Sequence, residues 1–263
     1  MHTLTSNTDK RGVLTLCMNR EQVHNAFDAV MIQELTAALK AADENDAVRI
    51  VVITGAGSCF SAGADLNWMR SLVNASQEEN ERDALRLADL MRSLNYLSKP
   101  TIARINGAAF GGGLGLIAAC DITVCTDDAR FGLTETRLGL VPAVISPYVI
   151  RCIGGANARH YFLSGERFDS QTAHDIGLVQ QTTTAGQLDE AVEDNIKRVL
   201  KGGPRAVAQC KQLIFEIAGH SVESQIKTDE LTARLIAGLR VSPEGQEGLA
   251  AFLEKRKAGW VKD

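Results

Sequence analysis

Long apolar runs are missing from this chain of 263 residues. No stretch approaches the roughly 18 to 20 apolar residues that a membrane-spanning helix needs, which argues against a helical membrane protein. The opening residues, MHTLTSNTDKRG, hold no apolar segment of the kind a secretory leader requires, so a cytoplasmic protein is expected. A basic excess is missing too. Lys and Arg number 28 against 32 Asp and Glu, for a net charge of −4 and a pI of about 5.8. That balance gives no basic face for nucleic acid, and no run of like charges suggests a membrane-surface patch. The six cysteines, Cys17, Cys59, Cys120, Cys125, Cys152 and Cys210, contain no CxxC pair and sit mostly in apolar runs. They read as reduced core thiols, and no metal site is expected. A dinucleotide fingerprint is also lacking. Gly55-Ala56-Gly57 follows an apolar strand, but Phe60 stands where the third glycine of GxGxxG belongs, so a turn is the better reading.

What is present is a chain that is 45% hydrophobic and long enough to bury a substantial core, as one domain or a domain with an appendage. Strand and helix patterns alternate along it. Gly12 to Met18 reads as a strand, and Asp28 to Ala42 as an amphipathic helix capped by Asp28, with Met31, Leu35 and Leu39 on one face. Val48 to Thr54, VRIVVIT, is β-branched and apolar enough for a buried strand. A loop from Gly55 to Asp65 precedes a helix from about Glu78 to Leu97, and Pro100 separates that helix from a strand at Thr101 to Ile105. A glycine-led helix, a short strand at Asp121 to Cys125 and a helix-rich final third follow. The alternation predicts an α/β fold.

Two segments carry unusually bare backbone. FSAGADLNWM, from Phe60 to Met69, sets Ala62, Gly63 and Ala64 in a row of small residues. GAAFGGGLGLIAA, from Gly107 to Ala119, places Gly111, Gly112 and Gly113 ahead of an apolar run that can open a buried helix. Free N–H groups at a helix start favour negative charge, and two N–H groups converging on one oxygen make an oxyanion hole. Triple glycine equally suits a tight turn or close helix packing, and spacing alone leaves both open.

Six segments in order, NREQVHNAF, FSAGADLNW, GAAFGGGLGL, ACDI, FGLTETRLGLVP and EGLAAFLEKRKAGW, resemble the crotonase superfamily of enoyl-CoA hydratases and isomerases. In detail, SAGADLNWM, LVPAVISPYVIRCIG and the ending EGQEGLAAFLEKRKAGW are most similar to the bacterial 3-methylglutaconyl-CoA hydratases of leucine breakdown. The resemblance implies a spiral of ββα turns over residues 1–200 and a helical C-terminal region, 201–263, that packs in a homotrimer or a dimer of trimers. It also implies a lyase acting on an acyl-CoA, with coenzyme A as part of the substrate and no separate cofactor. The oxyanion-hole donors it implies are the N–H groups of Ala64 and Gly112, and the proton-shuttling carboxylate is Glu135. Read from the residues alone, Glu135 is also an ordinary loop glutamate with apolar neighbours Phe131, Leu133 and Leu138.

The same resemblance places Val23, His24 and Ala26, then Ala62, Ala64, Asp65 and Leu66, along the coenzyme A path. For His24 its backbone is the expected contact. Lys255, with Arg256 and Lys257, lies on an amphipathic stretch; it reads as a solvated helix face or, by resemblance, as a contact to CoA phosphates. One departure stands out. Hydratases with two carboxylates carry the second at the position of Gly115, so a substrate bringing its own acid group is one expectation. An isomerase using Glu135 alone, or a binding protein that keeps the fold without the chemistry, are the alternatives.

Overall fold

The computed structural model describes residues 2–262. Its first sheet has the order β1-β2-β3-β5-β7-β10, with β1 (Leu4–Thr8) antiparallel to β2 (Val13–Met18). β3 (Ile50–Gly55), β5 (Thr101–Ile105), β7 (Ile122–Thr126) and β10 (Gln181–Thr183) continue it in parallel. β3 is buried throughout, because both of its faces are covered. Val51 and Ile53 join the main core with Leu16, Phe60 and Phe131. Ile50 and Val52, one residue out of phase, pack on the opposite face against Leu188, Val192 and Ile196 of α7 (Leu188–Leu200).

A second sheet is built from strands of three residues each: β4 (Cys59–Ser61), β6 (Ala108–Phe110), β8 (Arg130–Gly132) and β9 (Arg167–Asp169). The chain lays one long strand in the first sheet and one short strand in the second, and then a helix. β3–β4 leads to α2 (Leu66–Val73) and α3 (Gln77–Asn95), β5–β6 to α4 (Gly112–Ala119), and β7–β8 to α5 (Ser146–Ser164). This is the expected ββα repetition. Between Asp169 and the final third lies one short helix, α6 (Ser170–Asp175).

The expected helices are found close to their predicted ends. α1 (Ala29–Glu44) begins where the Asp28 carboxylate accepts the Met31 N–H, and it buries Met31, Leu35 and Leu39. α3 opens with a reciprocal capping box between Ser76 and Glu79. Two expectations need correction. The stretch expected as one loop from Gly55 to Asp65 contains β4, and α2 follows it. Cys210 is an exposed thiol on α8 (Pro204–Ile217), not a core residue, although all six cysteines are free. The last helices, α9 (Val222–Arg240) and α10 (Pro243–Leu253), fold back over the first part of the chain: α9 packs along α3, and α10 touches α2. Among the described residues no helix is long and apolar enough to cross a membrane.

Candidate active site

Three short parallel strands end side by side. Cys59 pairs with Ala108 and Ser61 with Ala109 between β4 and β6, and Ala109 pairs with Phe131 between β6 and β8. The residues that follow these strands therefore meet at one end of the sheet, where ligands gather in parallel α/β proteins. Ala62 to Asp65 follow β4, Gly111 follows β6, and Leu133 to Glu135 follow β8.

The first two loops touch through glycine. Gly63 and Gly111 have φ of +87° and +50°, a region that disfavours side chains. A Cβ on Gly63 would lie 3.0 Å from the Phe110 carbonyl oxygen, and one on Gly111 would lie 3.1 Å from Glu135 Oε1. Ala64 is held by the main chain of Phe27: the Phe27 N–H donates to Gly63 O at 2.6 Å, and the Asp65 N–H donates to Phe27 O at 2.8 Å. Those bonds use the groups on either side of Ala64 and leave its own N–H on the other edge. Gly112 is the first residue of α4, where an N–H has no partner within the helix. Neither the Ala64 N–H nor the Gly112 N–H meets an acceptor among the described residues.

Glu135 opens a short 3-10 turn, Glu135–Leu138. The residue is half-buried, but its Oε2 is out of solvent and has no hydrogen-bond partner among the described residues. Burial pushes its carboxyl up from 4.5 to about 7. This is not a solvated loop glutamate. Ala62, Ala64, Gly112 and Glu135 all line one cavity of about 190 Å³, whose other walls include Trp68, Val141, Ile145 and Leu249.

The position of the absent second carboxylate is filled. A Cβ on Gly115 would lie 2.3 Å from Ile145 Cγ2 and 3.1 Å from Met91 Cε, so α4 is pressed against the start of α5. One further charged side chain lies on the cavity wall, and the sequence did not point to it. Arg240, at the end of α9, donates through Nη1 to Asp83 Oδ2 at 3.2 Å and Asn80 Oδ1 at 3.4 Å.

The remaining residues expected on the coenzyme A path lie outside this cavity wall. His24 is tied to the loop after β4, while Val23 and Ala26 bond to each other, the Ala26 N–H donating to Val23 O at 3.1 Å. The His24 carbonyl accepts the Ala62 N–H at 2.9 Å, and Asn25 Nδ2 donates to the carbonyls of Ala56 and Cys59. The Asp65 carboxylate is fully employed, accepting the N–H groups of Asn67 and Trp68 and pairing with Arg20 at 3.0 Å. Its side chain caps α2 and is not a free ligand. Leu66, the first residue of α2, is exposed. Lys255 is not on a helix face as expected; α10 ends at Leu253, and Lys255 sits in the following turn with φ of +56°. Arg256 beside it is occupied by Glu247 and Glu254. Among the described residues no group of three or more His, Cys, Asp or Glu side chains could hold a metal ion.

Residues 8–263 match the enoyl-CoA hydratase/isomerase family. An enoyl-CoA hydratase structure from Shewanella pealeana is 42% identical with a TM-score of 0.80, covering 98% of this chain and 96% of that one. One from Mycobacterium avium is 32% identical with a TM-score of 0.87, covering 99% and 100%. The 2,3-dehydroadipyl-CoA hydratase of Escherichia coli is 31% identical over 248 residues, 94% of each chain.

Proposed function

The chain belongs to the enoyl-CoA hydratase/isomerase family, and from that premise we propose that it hydrates a branched, carboxylated 2-enoyl-CoA such as 3-methylglutaconyl-CoA. One observation carries the mechanism: the unpartnered Glu135 carboxyl shares a cavity with the free N–H groups of Ala64 and Gly112. The thioester oxygen sits on the two N–H donors. When water attacks C3, the C2–C3 π pair moves toward that oxygen, and the donors stabilise the resulting enolate. Protonated Glu135 then delivers its proton to C2, and the proton lost by the water restores the acid.

The coarse chemistry needs only this. The finer substrate reading draws on the missing second carboxylate, since Ile145 occupies its space and a substrate acid group can help orient the water instead. The 31% identity to a hydratase of 2,3-dehydroadipyl-CoA, itself an acid-bearing thioester, supports the same class. Coenzyme A enters as part of the substrate, along Val23, His24, Ala26, Asp65 and Leu66, with Lys255 offered to its phosphates. The setting is the cytoplasm and the assembly a trimer or dimer of trimers. A single buried carboxylate also favours one alternative, an isomerase that carries a proton between C4 and C2.

The test is a turnover panel of crotonyl-CoA, 3-methylglutaconyl-CoA and a 3-enoyl-CoA at equal concentration. Fastest hydration of 3-methylglutaconyl-CoA, by roughly a hundredfold over crotonyl-CoA, is expected. Equal rates on the two 2-enoyl thioesters would overturn the carboxylated-substrate reading. Isomerisation of the 3-enoyl-CoA without hydration of the others would replace it by the alternative.

A further inference from the structure

Among the described residues, the cavity that Glu135 lines has one cation on its wall, and only part of that cation is used. Both contacts of Arg240 run through Nη1. Nε and Nη2, which share another edge of the planar guanidinium, have no acceptor among the described residues. Asp83 is itself shared, because Trp68 Nε1 donates to its other oxygen at 3.2 Å. A guanidinium offers five N–H donors in a fork that matches a carboxylate, and a pair of parallel N–H donors on one edge is its strongest arrangement. Three of the five are unused, on a residue that lines a cavity whose other lining is mostly apolar. Burial works against the charge on both partners, pushing Arg240 down and Asp83 up from their ordinary values, so one shared anion only partly compensates the guanidinium.

We propose that the free Nε–Nη2 edge of Arg240 receives the distal carboxylate of the acyl group, making Arg240 the residue that selects acid-bearing thioesters over neutral ones. This rests on the reading that the acyl group occupies the Glu135 cavity. Three features support the assignment. Asn80 and Asp83 hold the guanidinium in place before any ligand arrives, so little order has to be created on binding. Trp68 and Asp83 come from α2 and α3 and Arg240 from α9, so the receptor is built on helices rather than on a loose loop. The discrimination is also two-sided: an acid group satisfies the edge, whereas a methyl group excludes water from it and leaves it unpaired.

The test compares glutaryl-CoA with valeryl-CoA, five-carbon acyl groups that differ in a terminal carboxylate and are saturated, so neither turns over. Titration calorimetry on the wild type should show glutaryl-CoA binding tighter by roughly tenfold or more. In an Arg240→Met/Asp83→Asn double variant, which strands neither charge, the ratio should fall to near one. Arg240→Lys, with a point charge in place of the fork, should keep only part of the preference. Asp83→Asn alone should preserve or widen it by releasing Nη1. Equal affinities in the wild type, or an unchanged ratio in the double variant, overturn the assignment. Should the double variant not fold, a ratio unchanged by Arg240→Lys does the same. The two readings fail separately. Arg240-dependent binding without hydration of any acid-bearing enoyl thioester removes the hydratase proposal and leaves this one. Hydration of 3-methylglutaconyl-CoA with a binding ratio indifferent to Arg240 does the reverse.

Discussion

At the scale of single residues, Glu135 concentrates most of the proposed chemistry, and its environment makes three linked expectations. Glu135→Gln keeps the size of the side chain but removes the acid. Turnover should fall on the order of 10² to 10⁴, with little change in thioester binding. The wild-type pH profile should follow a carboxyl near 7. Hydration uses the protonated form, so its kcat/KM should decline above about 7, whereas dehydration of the 3-hydroxy product should decline below it. Stability moves as well. The folded carboxyl titrates at about 7 against an ordinary 4.5, so between those values the folded chain holds the extra proton. Raising the pH through that window therefore lowers stability, by about 3 kcal/mol as an upper order of magnitude. Glu135→Gln removes the slope. Denaturant unfolding should find the variant similar to wild type near pH 4.5 and more stable at about pH 8. A wild-type stability that does not fall across this interval would show that the carboxyl is not raised.

At the scale of elements, α4 decides whether a second carboxylate can be restored. Gly115 lies on its buried face with Ile145 Cγ2 where a Cβ would go. Gly115→Glu must both displace Ile145 and bury an unpaired acid, so a loss of roughly 3 kcal/mol or more is expected. Thermal melts should show that loss, and crotonyl-CoA hydration should not rise. A folded variant that hydrates crotonyl-CoA faster than wild type would mean that Ile145 yields easily. The same helix shows what could be read before the fold was known. α1, β3 and α4 were legible because each repeats an apolar pattern over six or more residues. β4, β6 and β8 were not, since three residues carry no measurable alternation, yet these strands align the site. That Ala64, Gly112 and Glu135 would line one cavity was legible only through the family's motifs. Arg240 was not legible at all. In LIAGLRVSP it reads as a cation in the last turn of a helix, where the helix dipole alone would favour it. Its partners Asn80 and Asp83 belong to α3, an earlier part of the chain, and Ile145 meets Gly115 across two elements. Local patterns hold no trace of such contacts.

At the scale of the whole molecule, the C-terminal helices present apolar surface that one chain cannot cover. α9 turns Ala233, Ile236 and Ala237 inward, while Leu231 and Leu235, one helical turn apart, are 67% and 52% exposed. On α8, Ile214 and Ile217 are 67% and 82% exposed. Surfaces of this kind fit the proposed homo-oligomer, in which each copy covers another's exposed leucines. Sedimentation velocity on the wild type should give the mass of a trimer or of a dimer of trimers. Leu231→Asp with Leu235→Asp places two charges on that outer face without touching the residues packed on α3. The double variant should shift to smaller species while keeping its helical circular dichroism. A wild type that sediments as a monomer, or a folded double variant of unchanged mass, would show that these leucines are not the surface through which the chains associate.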